Sequence, residues 1–129
     1  MKVIIIEDEK KAASLLESML LDIDPDIEIA DKCYDLPSGI KSIRKYQPDL
    51  VFLDVNMPGL DGMGVVRQLR LKGVELPHVI FVTAYDQYAV EAFRLEALDY
   101  LLKPVDKLRL AESVERARCG WMVTGMPGR

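Results

Sequence analysis

The chain has 129 residues, 50% hydrophobic and 29% charged, which suits one compact domain around a single sizeable core. A net charge of -4 and an isoelectric point near 5.0 argue against nucleic-acid binding by this domain alone, because a phosphate backbone needs a basic face. No apolar run approaches the ~20 residues of a membrane span, no export leader is expected, and Cys33 and Cys119 fit neither a disulfide framework nor a zinc pattern; the expected compartment is a reducing cytoplasm.

The predicted elements alternate. Lys2 to Ile6 is a short run rich in β-branched residues and reads as a strand buried on both faces. Leu15, Leu16, Met19 and Leu20 then follow helical spacing. Ile27 to Cys33 alternates apolar and polar residues, as a strand nearer the sheet edge does. A second helix carries Leu36, Ile40 and Ile43, and Leu50 to Leu53 is a second fully buried strand. Val65, Val66 and Leu69 mark a third helix, Val79 to Val82 a further buried strand, and Tyr88, Ala89, Ala92 and Phe93 a helix with these four on one face. Tyr100 to Leu102 is a last short strand, followed by a helix presenting Leu110, Val114 and Ala117. Pro25, Pro48, Pro58-Gly59, Gly73, Pro77 and Pro104 fall at the boundaries, where turn geometry is tolerated.

Five β-α repeats of this kind imply a parallel sheet with right-handed crossovers and helices on both faces, an α/β, doubly wound, five-stranded, flavodoxin-like sandwich. Residues 1–119 are expected to form the domain. After Cys119 the apolar spacing stops, and residues 120–129, with their Gly and Pro, read as a linker or an appended tail.

In open parallel sheets, ligands bind beyond the carboxyl ends of the strands. The first strand ends in Glu7-Asp8, the next buried one in Asp54, the following one in Thr83 and the last in Lys103. Three carboxylates, a hydroxyl and an ammonium are thus delivered to one edge. Hard oxygen ligands suit Mg2+, which takes one or two carboxylates beside phosphate oxygens and water, with Asp8 and Asp54 as candidates. A carboxylate is also a nucleophile toward phosphorus, and Lys103 and Thr83 suit the phosphoryl oxygens. Singly, each residue has an ordinary alternative: Asp8 as a helix cap, Asp54 as a loop residue before Asn56-Met57-Pro58-Gly59, Thr83 as a strand end, Lys103 as a solvated lysine before Pro104. The coincidence on one edge favours a site.

From Lys2 to about Arg118 the chain resembles the receiver domains of two-component response regulators. The resemblance rests on Ile4-Ile5-Ile6-Glu7-Asp8-Glu9, on Leu53-Asp54-Val55-Asn56-Met57-Pro58-Gly59-Leu60-Asp61-Gly62, on Val82-Thr83-Ala84 and on Asp99-Tyr100-Leu101-Leu102-Lys103-Pro104, in the family's order. It implies phosphorylation of Asp54 by a histidine kinase, with Mg2+ held by Glu7, Asp8, Asp54 and the backbone carbonyl of Asn56. Thr83 and Lys103 would contact the phosphoryl oxygens, Thr83 and Tyr100 would act as a switch, and Lys103-Pro104 would be cis. At Glu7 the family often has Asp, but either carboxylate can hold a metal-bound water.

Ala84-Tyr85-Asp86-Gln87-Tyr88-Ala89-Val90-Glu91-Ala92-Phe93 is similar to receivers that precede a LytTR-type DNA-binding domain. That implies transcriptional regulation through an output domain outside this chain, with Tyr88, Val90, Phe93 and Leu95 in a homodimer face formed on activation. Two other functions are weighed. A flavin or nucleotide site lacks the glycine-rich turn after the first strand, where Glu7-Asp8-Glu9 stands. An aspartyl-phosphate phosphatase would carry a second acid two residues after its nucleophile, where this chain has Asn56. His78 and both cysteines are read as structural or incidental.

Overall fold

A computed structural model describes residues 1–57, 60–73 and 75–124, with the backbone alone at Asn56, Leu60, Asp61 and 120–124. The elements are β1 (Lys2–Ile6), α1 (Lys10–Ile23), β2 (Glu28–Cys33), α2 (Leu36–Tyr46), β3 (Leu50–Asp54), β4 (Asn56–Met57), β5 (Leu60–Asp61), α3 (Gly62–Leu71), β6 (His78–Thr83), α4 (Ala89–Arg94), β7 (Asp99–Leu102) and α5 (Lys107–Thr124). Five strands form a parallel sheet in the order β2-β1-β3-β6-β7, the doubly wound arrangement expected.

Alternation along the strands splits the core in two. Val3, Ile5, Phe52, Ile80, Val82 and Leu101 face α1 and α5, meeting Leu16, Leu20, Leu110 and Val114. Ile4, Ile6, Val51, Leu53, Val79 and Phe81 face α2, α3 and α4. Helix starts are set locally: Asp35 Oδ1 accepts the Ser38 N–H at 2.8 Å, and Asp106 Oδ2 accepts the Arg109 N–H at 3.0 Å.

Helix α2 lies so close to β1 that a Cβ on Gly39 would stand 2.4 Å from Ile6 Cδ1 and 2.8 Å from its Cγ1. Gly39→Ala is therefore expected to lose about 1 kcal/mol or more, because overpacking a buried isoleucine exceeds the helix-propensity gain of alanine. Urea unfolding measures it; a midpoint equal to or above that of the parent would contradict the packing argument.

Four features differ from the sequence reading. First, Asn56–Met57 and Leu60–Asp61 pair as a two-stranded antiparallel ribbon, in a segment read only as a loop. Second, α5 continues through Thr124 rather than stopping at Cys119, since Gly120 costs a helix only about 1 kcal/mol and no proline intervenes before Pro127. Third, Leu15 is 62% exposed, outside the α1 core stripe. Fourth, α4 is six residues long and buries Ala92 and Leu95 with Tyr88 packed beside them, an i, i+4, i+7 face. Phe93 is therefore 83% exposed, off the face that Tyr88 and Ala92 share, and Leu95 is core rather than surface. Pro58 and Gly59 lie outside the described residues. Among the described residues no helix is long and apolar enough to cross a membrane.

Candidate functional site

The sheet changes direction of winding between β1 and β3, and the candidate residues gather at the carboxyl ends of these neighbours. Register explains the gathering. Ile6 pairs with Leu53, which brings the next residues, Glu7 and Asp54, side by side. Asp54 pairs with Val82, one residue before Thr83, and Thr83 pairs with Leu102, one residue before Lys103. The Glu7 N–H donates to the Cys33 carbonyl at 2.9 Å, and the Lys103 N–H to the Thr83 carbonyl at 2.7 Å, so backbone bonds continue past the strand ends.

One carboxylate oxygen from each of Glu7, Asp8 and Asp54 lies within 4.8 Å of the others. Glu7 and Asp54 are buried and Asp8 half-buried. Three acids at this spacing repel one another unless a cation shares them, and an all-oxygen donor set fits a hard divalent ion. The Lys103 ammonium supplies part of the compensation, 2.5 Å from Glu7 Oε1 and 3.3 Å from Asp54 Oδ2. Burial pushes Glu7 up to about 7; Lys103 and the Glu9 N–H pull it down in part, while the hydrogen bonds with Asp54 and Asp8 add to the rise. Burial lowers Lys103, but Glu7 and Asp54 outweigh it and hold the ammonium above its ordinary value.

Gly62 opens α3 against this cluster. A Cβ there would lie 3.1 Å from the Asp54 carbonyl oxygen, so glycine permits the helix to start directly beside the strand end. The peptide between Lys103 and Pro104 is cis, as the resemblance implied.

Thr83 is fully buried, and its Oγ1 accepts the Tyr85 N–H at 3.2 Å. The Tyr100 hydroxyl donates to the Tyr85 carbonyl. The two residues are thus joined through the main chain of Tyr85, which residue types alone could not reveal. Asn56 stands two residues after Asp54 and pairs with Asp61 in the ribbon. His78 begins β6 at the opposite end of the strand, where burial and Arg70 lower its pKa. Cys33 is buried and Cys119 exposed, both free thiols. Cys33 Sγ lies 3.3 Å from Ser42 Oγ, and burial pushes it up to about 11, which makes it inert.

Sequence reasoning missed Asp99. Its carboxylate accepts both Arg109 guanidinium nitrogens at 2.8 Å, the Ser113 hydroxyl at 2.5 Å and the Tyr100 N–H at 2.8 Å, with Arg116 at 3.0 Å. Burial raises its pKa, but these donors prevail and hold it below the ordinary range. The signal was present: Arg109, Ser113 and Arg116 recur at i, i+4, i+7 on α5, a polar stripe beside the apolar one.

The family model of the response regulator receiver domain matches residues 3–115. Curated relatives include a response regulatory protein of Yersinia pestis, 42% identical over 90% of this chain and 48% of that protein. The transcriptional regulatory protein BtsR of Escherichia coli is 40% identical over 91% of this chain and 48% of its own length. The chain spans about half the length of these relatives. Among solved structures, the response regulatory domain of protein mrkE from Klebsiella pneumoniae superposes with a TM-score of 0.83 at 34% identity, covering 95% of this chain and 98% of that one.

Proposed function

The chain belongs to the response regulator receiver family, and we propose that Asp54 is its phosphoacceptor, with Mg2+ held by Glu7, Asp8, Asp54 and the Asn56 carbonyl. The observation that carries this reading is the convergence of three carboxylates from two adjacent strands with Lys103 from a third.

Bound Mg2+ would supply positive charge to the phosphoryl oxygens. The chain's own residues do the rest. An Asp54 carboxylate oxygen attacks phosphorus in line as the bond to the kinase's histidine nitrogen breaks; the new O–P bond makes an acyl phosphate, and the freed imidazole takes up a proton. Lys103 is placed to meet one phosphoryl oxygen and Thr83 another. Hydrolysis of the acyl phosphate by water at the same site resets the domain, so the chain assists its own phosphorylation and dephosphorylation without turning over a diffusible substrate.

Recruiting the Thr83 hydroxyl to a phosphoryl oxygen would break its bond with the Tyr85 N–H. The Tyr85 carbonyl holds Tyr100, so the loop before α4 and the tyrosine move together. Val90, 65% exposed, and Phe93 on α4 are then the residues of a homodimer face, with Leu95 removed from it. By the likeness to transcriptional regulators, the partner is a histidine kinase, the compartment the cytoplasm, and DNA is reached through a LytTR-type output domain outside this chain.

The direct test is intact mass after incubation with acetyl phosphate and Mg2+. A labile phosphoryl adduct that EDTA prevents supports the reading; a folded protein that takes up neither phosphoryl nor beryllofluoride would overturn it. A pH dependence follows from Glu7. Its raised pKa means that its proton stabilises the metal-free fold fully below the ordinary carboxylate value of 4.5, and that this contribution is lost as pH rises through about 7. Mg2+ must displace that proton, so its affinity is expected to climb by up to about tenfold per pH unit below neutrality and level off above. Calorimetric titration from pH 5.5 to 8 checks it; a flat profile would remove Glu7 from the metal site.

A further inference from the structure

Between α1, the sheet and the turn that leads into α5 lies a cavity of ≈ 180 Å3. Ile5, Phe52 and Val82 line it from the sheet, Leu16 and Met19 from α1, and Val105 from the turn. Protein interiors leave few voids larger than a water molecule, so a space of this size forfeits dispersion contacts that an apolar occupant would restore. An apolar cavity of about 150 Å3 stays dry and accepts benzene, which sets the occupant at one six-membered ring. Leu15, well exposed, stands at the rim, where such a ring can enter.

The lining also fixes the charge of the occupant. Glu7, Asp54 and Lys103 reach one end, but the ammonium already lies 2.5 Å from Glu7 Oε1 and 3.3 Å from Asp54 Oδ2. An ion of either sign would shed its water against a wall that is apolar almost throughout, a cost that an uncharged ring escapes. We propose that this cavity binds small uncharged aromatic molecules, and that a ring held there slows phosphoryl uptake at Asp54. Lys103 supplies the link, because it lines the cavity and bonds to both buried carboxylates. A ring against its stem takes up the space in which the ammonium shifts from Glu7 to a phosphoryl oxygen. Binding rests on the cavity alone; the slowing rests also on the phosphoacceptor reading above.

Toluene is the probe, titrated into metal-free protein at neutral pH and followed by methyl NMR. Saturable shifts of the Leu16, Met19 and Val105 methyls are expected. Benzoate and benzylammonium, the same ring with a charge of either sign, should bind at least about tenfold more weakly. Ala12 lines the cavity from a half-exposed position on α1, and Ala12→Leu fills the space with the chain's own methyl groups. That variant should unfold at a urea concentration no lower than the parent and bind toluene at least about tenfold more weakly. With acetyl phosphate and Mg2+, saturating toluene should slow phosphoryl uptake by the parent at least about threefold, a fraction of the loss expected on removing Lys103 outright. Ala12→Leu should show the slower rate without toluene and ignore its addition. Shifts that do not saturate, charged analogues that bind as well as toluene, or a variant that unfolds earlier or binds toluene like the parent would overturn the site. Unchanged uptake by toluene-saturated parent would overturn the link through Lys103. Toluene binding by a parent that takes up no phosphoryl would sink the phosphoacceptor and the slowing with it, and leave the binding site standing.

Discussion

Asp54→Asn protein incubated with acetyl phosphate and Mg2+ is expected to gain no phosphoryl mass at all, while the parent gains one equivalent. An amide is not a competent nucleophile toward phosphorus, so the loss is complete rather than graded. The same substitution removes one of three carboxylates crowded within 4.8 Å. Like charges at that distance cost on the order of 1 kcal/mol even in a well-screened site, and Lys103 keeps its closer partner Glu7. The metal-free variant should therefore unfold at a denaturant concentration equal to or above that of the parent, a case of stability yielded to function. A variant that still acquires a metal-dependent adduct would move the acceptor elsewhere. One that loses the adduct by failing to fold would leave the crowding argument wrong.

Lys103→Met should shift three quantities, not all in one direction. Without the ammonium, Glu7 and Asp54 lose the cation they share, and the metal-free fold should lose about 2 kcal/mol, below the full cost of breaking a buried pair because the lysine side chain is 26% exposed. The rate of phosphoryl uptake should fall by roughly 100- to 1,000-fold, the usual effect of removing one preorganised charge from a developing oxyanion. Mg2+ should bind more tightly at pH 8, because its competitor for the carboxylates is gone. Urea unfolding, adduct formation over time and calorimetry measure the three separately. Looser Mg2+ binding would mean that Lys103 orders the carboxylates rather than competing with the ion.

The five-stranded parallel sheet was legible because its inner strands write themselves as unbroken apolar runs: Val3 to Ile6, Val51 to Leu53 and Val79 to Val82 each proved buried on both faces. Glu7, Asp8 and Asp54 were legible for the same reason, since they follow such runs, while Lys103 follows the shorter Tyr100 to Leu102, and parallel register places these strand ends together. What failed to show has physical causes. The Asn56–Asp61 ribbon is too short to carry an alternating pattern. On α4, Ala92 meets the sheet but Phe93, grouped with it by apolar type, does not, because in a six-residue helix geometry, not hydrophobicity, decides which side is inward. Main-chain links such as Tyr85 between Thr83 and Tyr100 leave no trace in residue type.

The Asp99 cluster fixes two successive turns of α5, through Arg109, Ser113 and Arg116, to the first residue of β7, while the Tyr100 amide hangs from the same carboxylate. Mechanically, this is a fulcrum. A pull arriving at the far end of β6 would meet the β7–α5 side anchored by this cluster, and the displacement would go to the single-turn-and-a-half α4. Val90 and Phe93 stand on α4, so a small stroke at a buried hydroxyl would be delivered at the surface as a change in the tilt of two exposed apolar side chains.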